Sequence, residues 1–183
     1  MKKIPANFFA RRTDVVAKKL LGKILAKDGM KAKIVETEAY MDEPGSHAHE
    51  GNKTPRNAVM FGPPGHIYVY FTYGIHHMLN FVCEEEGTPG AVLIRAGEPL
   101  EGMERMIENR GRKENLTNGP ARLTQAFGID TRHNGQKVGT EIEVLDSKNN
   151  NIEIGTSTRI GLSKGENLPL RFYVVGNQWV SKK

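Results

Sequence analysis

The run Ile34-Val35-Glu36-Thr37-Glu38-Ala39-Tyr40 and the segment His66 to Asn80, HIYVYFTYGIHHMLN, decide how this 183-residue chain is read. Successive side chains on a strand point to opposite faces. In the first run Ile34, Glu36, Glu38 and Tyr40 therefore share a face, and Val35, Thr37 and Ala39 share the other. Two carboxylates on one face are costly to bury, so a solvated face is the commoner outcome for such a pair. Against it, Tyr40 continues that face into a loop holding His47 and His49 within SHAHEG, followed by TPRN at 54–57. In the second segment Tyr68 and Tyr70 share one face, and Ile67, Val69 and Phe71 the other. The alternation breaks at Tyr73-Gly74 and an apolar run, MLNFVC, follows. That pattern predicts a hairpin with Tyr73 near its tip. A ring there can wedge between nucleic-acid bases. From spacing alone, a ring packed on a neighbouring loop is the commoner outcome.

Working outward, Asp28-Gly29 between KILAK and MKAKIVETEAY is a strong two-residue turn signal. The acidic strand is then the second arm of a hairpin. Upstream, Thr13 reads as a helix N-cap, with Val16, Leu20 and Leu21 as an apolar stripe and Gly22 at the C-cap. Phe8 and Phe9 read as core packed on that helix. Residues 41–66 read as a long loop with one helical turn near Asn57 to Phe61, and loops of that length are usually functional or disordered. AVLIRA at 91–96 reads as a buried strand ending at Arg95, which either pairs with a glutamate or emerges into water. Glu98 to Asn109 is predicted helical with Pro99 near its start, and its methionines are core filler. A further helix starts at Pro120, is capped by Thr117 or Asn118, and stops at Gly128. Its N-terminus and Arg122 suit a phosphate, although ordinary capping looks the same. From 138 to 181 the runs VGTEIEVLD, KNNNIEIG, TRIGLS, LRFYVV and NQWVS suggest an antiparallel C-terminal sheet region.

The composition bounds the classes. The length suits one domain with a real core. Hydrophobic residues are 38% of the chain, with no membrane-spanning apolar run, and MKKIPANFFARR lacks the apolar stretch expected of a secretory signal. Cys83 is the only cysteine, which excludes an internal disulfide and a thiolate zinc cluster and makes a reducing interior the default. A net charge of +5 and a pI of about 9.3 fit a polyanionic partner without requiring one.

Taken together, IVETEAY, SHAHEGNKTPRN, MFGPPGHIYVYFTYGIHHMLN, VLIRAGEPLEG, NGPARLTQAFGI and LPLRFYVVGNQWVS resemble the alkyladenine (3-methyladenine) DNA glycosylase family, as a short bacterial-type member. The match runs from about Phe8 to Ser181 with the motifs in order. The resemblance implies a monofunctional base-excision repair enzyme. It would flip an alkylated or deaminated purine from double-stranded DNA and hydrolyse the N-glycosidic bond. It implies that Glu38 activates the water, that Arg95 helps hold it, and that a backbone carbonyl near Ile160 completes the water site. It implies that Tyr40, His47 and Tyr70 sandwich the base, that Asn80 discriminates against the guanine amino group, and that Tyr73 fills the gap in the duplex. Arg56 and Arg122 are expected on the DNA backbone. No metal, cofactor, membrane or obligate protein partner is expected, and a cytoplasmic, nucleoid-associated monomer is. The loop between Tyr40 and His47 is shorter than in mammalian members. The expected fold is α+β: one domain spanning 1–183, a curved, mostly antiparallel β-sheet with a protruding β-hairpin, surrounded by helices.

Two other readings stand beside this one. A metal-dependent hydrolase could use Glu36, Glu38, His47, His49, His76 and His77, although no His-x-x-x-His helix or cysteine ligand supports it. A non-catalytic module could stack bases on the tyrosines and would have no use for Glu38.

Overall fold

In a computed structural model, residues 1–147 and 151–181 are described. The turn at Asp28-Gly29 forms as the sequence dictates. Both residues have positive φ, 49° and 80°, and Lys27 pairs with Met30 across a two-residue link. It joins β1 (Ile24–Lys27) to β2 (Met30–Tyr40). A second hairpin, β3 (Ile67–Thr72) and β4 (His76–Val82), meets β5 (Ala91–Glu101), which runs antiparallel along the length of β2. β6 (Glu143–Leu145) joins the outer edge of β1. β7 (Ile154–Ser157) and β8 (Arg171–Val174) form a last antiparallel pair. Among the described residues these make one sheet in the order β3-β4-β5-β2-β1-β6. β8 takes the edge of β2 beyond β1, with Glu36 opposite Tyr173 and Glu38 opposite Arg171.

Every pairing is antiparallel, and the sheet curls. The β2–β5 register shifts at Lys31/Ala32, at Ile34/Glu36 and at Glu36/Thr37. Bulges bend and twist a strand and re-aim its side chains. Two of these shifts lie at Glu36, so the sheet bends where the acids sit.

The helices are α1 (Thr13–Leu20), α2 (Met103–Arg110) and α3 (Pro120–Phe127). Val16, Ala17 and Leu20 of α1, and Leu123, Ala126 and Phe127 of α3, pack with Ile34, Val35, Val92 and Ile94 in the main core. Each large side chain there stabilises the fold by roughly 1.5–3 kcal/mol relative to exposure. β3 divides its residues between two clusters as its alternation predicts. Ile67 and Val69 enter the main core. Tyr68, with Tyr70 against it, joins Ala48, Met60, Phe61, Val82 and Ala91 in a second cluster.

Several expectations need correction. The IVETEAY face is not solvated: Glu36 and Glu38 are both fully buried. β5 does not end at Arg95 but runs on to Glu101, and Pro99 lies within it opposite Ala32. Its pairing with β4 stops at Leu93, and a strand with one unladdered edge tolerates a residue lacking N–H. The helix therefore begins at Met103, not near Pro99. Thr13 caps nothing with its own oxygen: its N–H and Oγ1 donate to Glu84 at 2.6 and 2.8 Å. The N-cap of α3 is Gly119, because Thr117 Oγ1 is committed to the Gly97 carbonyl at 2.6 Å. The expected antiparallel C-terminal pairing forms in part, with β7 on β8, β8 on β2 and β6 on β1. TRIGLS and NQWVS are loops, and Lys148 to Asn150 of KNNNIEIG lie outside the described residues.

Candidate active site

β2 delivers Glu36, Glu38 and Tyr40. A buried carboxylate must be paired and fully hydrogen-bonded, and both are. Glu38 Oε1 accepts from the Ile160 N–H at 2.8 Å. Its Oε2 accepts from the Tyr40 hydroxyl at 2.8 Å and from Arg95 Nη1 at 3.2 Å. Glu36 Oε1 accepts from Arg95 Nε at 3.1 Å, Arg171 Nη1 at 3.0 Å and Ser181 Oγ at 3.0 Å. Its Oε2 accepts from the Ser181 N–H at 2.7 Å. Two acids thus face two guanidinium groups. Burial works against the charge on Arg95, but Glu38 and then Glu36 outweigh it and hold the guanidinium above its usual pKa. Arg95 therefore pairs with both glutamates instead of emerging into water.

Beside this pair lies an aromatic cavity of about 60 Å³, lined by Tyr40, Gly45, His47, Met60, Tyr68, Tyr70, Asn80, Ala91 and Leu162. The hairpin register sets Asn80 opposite Tyr68, and paired residues project to one face. The Asn80 amide nitrogen donates to the Tyr68 and Met78 carbonyls at 3.1 and 3.2 Å, which fixes the side chain. His47 lines the cavity with its ring edge-on to Tyr70, the centroids 4.7 Å apart. Its Nδ1 lies 3.0 Å from the Tyr68 hydroxyl. Burial against the tyrosines, then the Arg56 charge, push the His47 pKa down and favour the neutral ring. Burial first and Glu38 second raise Tyr70 to about 12 and lift Tyr40 further. The phenols therefore stay protonated and able to donate.

Two loops close the cavity, and Arg159 joins them. Its guanidinium lies 4.6 Å from the Tyr40 ring centroid and donates to the Ala39 and Pro44 carbonyls and to Glu43. A methyl group added at Gly45 (φ +92°) would fall 2.4 Å from the Lys164 carbonyl, so the loops touch through bare backbone.

At the hairpin tip Tyr73 is 82% exposed with φ +53°. The expectation of a ring packed on a neighbouring loop is therefore overturned. Phe71 and Ile75 beside it are exposed too. Arg56 donates to the Phe71 carbonyl at 3.1 Å and its guanidinium lies 5.6 Å from the Tyr70 ring centroid. Arg122, exposed at the start of α3, bonds Asn118. With Arg95, Asn118, Gly119, Pro120, Ala121, Ile160 and Ser181 it lines an open hollow of about 320 Å³. Glu38 lines neither space, but it is bonded to both. Tyr40 reaches it from the cavity, and Arg95 and Ile160 from the hollow.

The histidines do not converge on the acids. His77 stacks on Phe71 at 4.9 Å, and His49 lies near Asp42 and Glu50. Among the described residues no three His, Cys, Asp or Glu are grouped to hold a metal ion. The sequence reading missed Arg159, Arg171 and Ser181. Arg171 carried the signal that flagged Arg95, a charge inside an apolar strand that demands a partner.

A family model for "Methylpurine-DNA glycosylase (MPG)" matches residues 7–178. A "Putative 3-methyladenine DNA glycosylase" of Chlorobaculum parvum is 54% identical over 138 residues, covering 70% of this chain and 66% of its own length. A relative of that name from Burkholderia lata is also 54% identical over 138 residues, covering 72% of this chain and 66% of its own. Another, from Desulfitobacterium hafniense, is 41% identical over 203 residues, with both chains covered in full. The chain thus spans just under two thirds of the first two relatives and all of the third.

Proposed function

The chain belongs to the methylpurine-DNA glycosylase family, and from that premise we propose that it excises damaged purines from double-stranded DNA. The substrates are 3-methyladenine, 7-methylguanine, hypoxanthine and etheno-adenine in a duplex, and the product is an abasic site. A base within the stack is out of reach, so it is extruded at a cost of roughly a few kcal/mol, least when damaged or mispaired. Tyr73 enters the vacated space, and the base passes between Tyr40, His47 and Tyr70. Alkylated purines are often cationic, and tyrosine faces attract cations by roughly 0.5–2 kcal/mol. Asn80 rejects the amino group of guanine. Arg56 and Arg122 hold the DNA backbone.

In the chemical step the C1′–N bond breaks and its electron pair leaves with the base. A water oxygen bonds to C1′, and its proton passes to Glu38. The ionised carboxylate also stabilises the oxocarbenium-like charge on the sugar. Arg95 and a backbone carbonyl near Ile160 help hold that water.

One observation carries the reading: a buried carboxylate at the partition between an aromatic cavity and a cationic hollow, tied to both. That partition is where the bond between a flipped base and its sugar would lie. A module that only stacks bases gains nothing from the desolvation cost of burying Glu38. The test is base release from duplexes carrying each lesion, with Glu38→Gln as control. General-base loss lowers the rate by about 10²–10⁴-fold. A Glu38→Gln protein that excises as fast as wild type would remove the mechanism.

A further inference from the structure

We infer that Glu36, with Ser181 near the C-terminus, is a positioning pair that fixes Arg95 against the reacting carboxylate. The inference rests on the glycosylase reading and assigns a task to groups that reading leaves idle. All three guanidinium nitrogens of Arg95 have directed partners. Nε donates to Glu36 at 3.1 Å, Nη1 to Glu38 at 3.2 Å and Nη2 to Ser181 Oγ at 3.5 Å. The fork therefore presents one edge to Glu36 and Ser181, and only one nitrogen to Glu38.

Arg–carboxylate pairs prefer two parallel bonds. Without Glu36, that edge keeps only the 3.5 Å bond from Nη2 to Ser181 Oγ, and Arg95 is free to turn both donors onto Glu38. A second guanidinium bond, added to those Glu38 already accepts from Ile160, Tyr40 and Arg95, makes it a poorer acceptor for a proton from water. Glu36 keeps Arg95 engaged elsewhere, and Arg171 completes the charge balance across β8.

The geometry is built for this alignment. The register shifts between β2 and β5 fall on either side of Glu36. Ser181 reaches Glu36 through both N–H and hydroxyl because the preceding Trp179 and Val180 pack on the main core. A buried ionic cluster of this kind adds little stability over apolar residues of the same volume, so stability alone is a poor reason for it.

The test is single-turnover base release from a hypoxanthine duplex with enzyme in excess. Alongside it, affinity is measured for a duplex holding a tetrahydrofuran abasic analogue. Misplacement of the catalytic pair by Glu36→Gln lowers the rate by about 10²-fold. Ser181→Ala, which preserves the backbone bond, lowers it about 3- to 10-fold, the worth of one hydrogen bond. Affinity for the abasic duplex stays within about twofold in Glu36→Gln, since Glu36 is fully buried and lines neither the cavity nor the hollow. In an Arg95→Gln background, adding Glu36→Gln costs less than about twofold, because its effect passes through Arg95.

A Glu36→Gln rate equal to wild type overturns the inference. So does a loss that multiplies in full with that of Arg95→Gln, as a merely structural role requires. Should Glu36→Gln fail to fold, an unchanged rate in Ser181→Ala overturns it. If wild-type protein releases no base from any lesion, the glycosylase reading itself falls; if wild type is active and both variants match it, only this inference does.

Discussion

Replacing Tyr73 by alanine removes a ring that is 82% exposed and held at φ +53°. The free protein has little to lose. The ring fills no core, and the turn is closed by the Ile75 N–H to the Thr72 carbonyl, which alanine preserves. Stability therefore changes by no more than about 0.5 kcal/mol, the usual range for a surface substitution. The cost falls on the complex. Burying about 150 Å² of ring between bases at about 25 cal/mol per Å² contributes at most about 4 kcal/mol. Base–aromatic stacking lost on truncation to alanine is about 1–3 kcal/mol. Affinity for a lesion duplex accordingly falls about 5- to 150-fold.

A second substitution separates ring from backbone. A non-glycine residue in the left-handed region costs roughly 1–2 kcal/mol, and glycine returns about 0.4–1 of that through unfolded-chain entropy. Tyr73→Gly should therefore be at least as stable as Tyr73→Ala while binding DNA equally poorly. The assays are titration of a fluorescent lesion duplex and urea unfolding. Lesion affinity in Tyr73→Ala within twofold of wild type would refute the wedge. A large loss of stability would show that the ring has a structural duty its exposure denies.

Asn80→Ser should relax the exclusion of guanine, lowering the hypoxanthine-over-guanine excision ratio by about tenfold or more; an unchanged ratio would strip Asn80 of that role. His47 is held neutral by a pKa below the ordinary 6.5, so acidification adds a positive charge beside the cavity. As pH falls below roughly 6.5, release of cationic 7-methylguanine should drop relative to neutral hypoxanthine, and His47→Gln should flatten the trend. Parallel profiles for the two bases would contradict it. Gly45→Ala should force apart the loops carrying Gly45 and Leu162, through a 2.4 Å approach to the Lys164 carbonyl. The expected loss is about 1–3 kcal/mol of stability, together with weaker lesion binding; an unchanged melting temperature would show that the loops yield freely.

The local framework was legible because local patterns set it. Asp28-Gly29 supplied a turn that needs positive φ at two positions, and both angles are positive. Alternation along Ile67 to Phe71 divided β3 between two clusters, and the Gly-containing break put Tyr73 at the tip. These features depend on residues within a few positions of one another. Helix boundaries were less legible. Thr13 and Thr117 have the chemistry of caps, but Glu84 and the Gly97 carbonyl claim them from a distance. Pro99 looked like a helix start, and the partner strand overrode it.

The sequence by itself determined the strand periods, the two tight turns, the aromatic face and the pair of acids on one stretch of strand. Only the tertiary structure decided that both acids are buried, that Arg95 and Arg171 balance them, and that Ser181 and Ile160 complete their bonding. The physical reason is separation along the chain: 57 to 145 residues lie between Glu36 or Glu38 and those partners. Periodicity tells which way a side chain points, but a carboxylate becomes affordable inside a protein only when distant segments bring their donors to it.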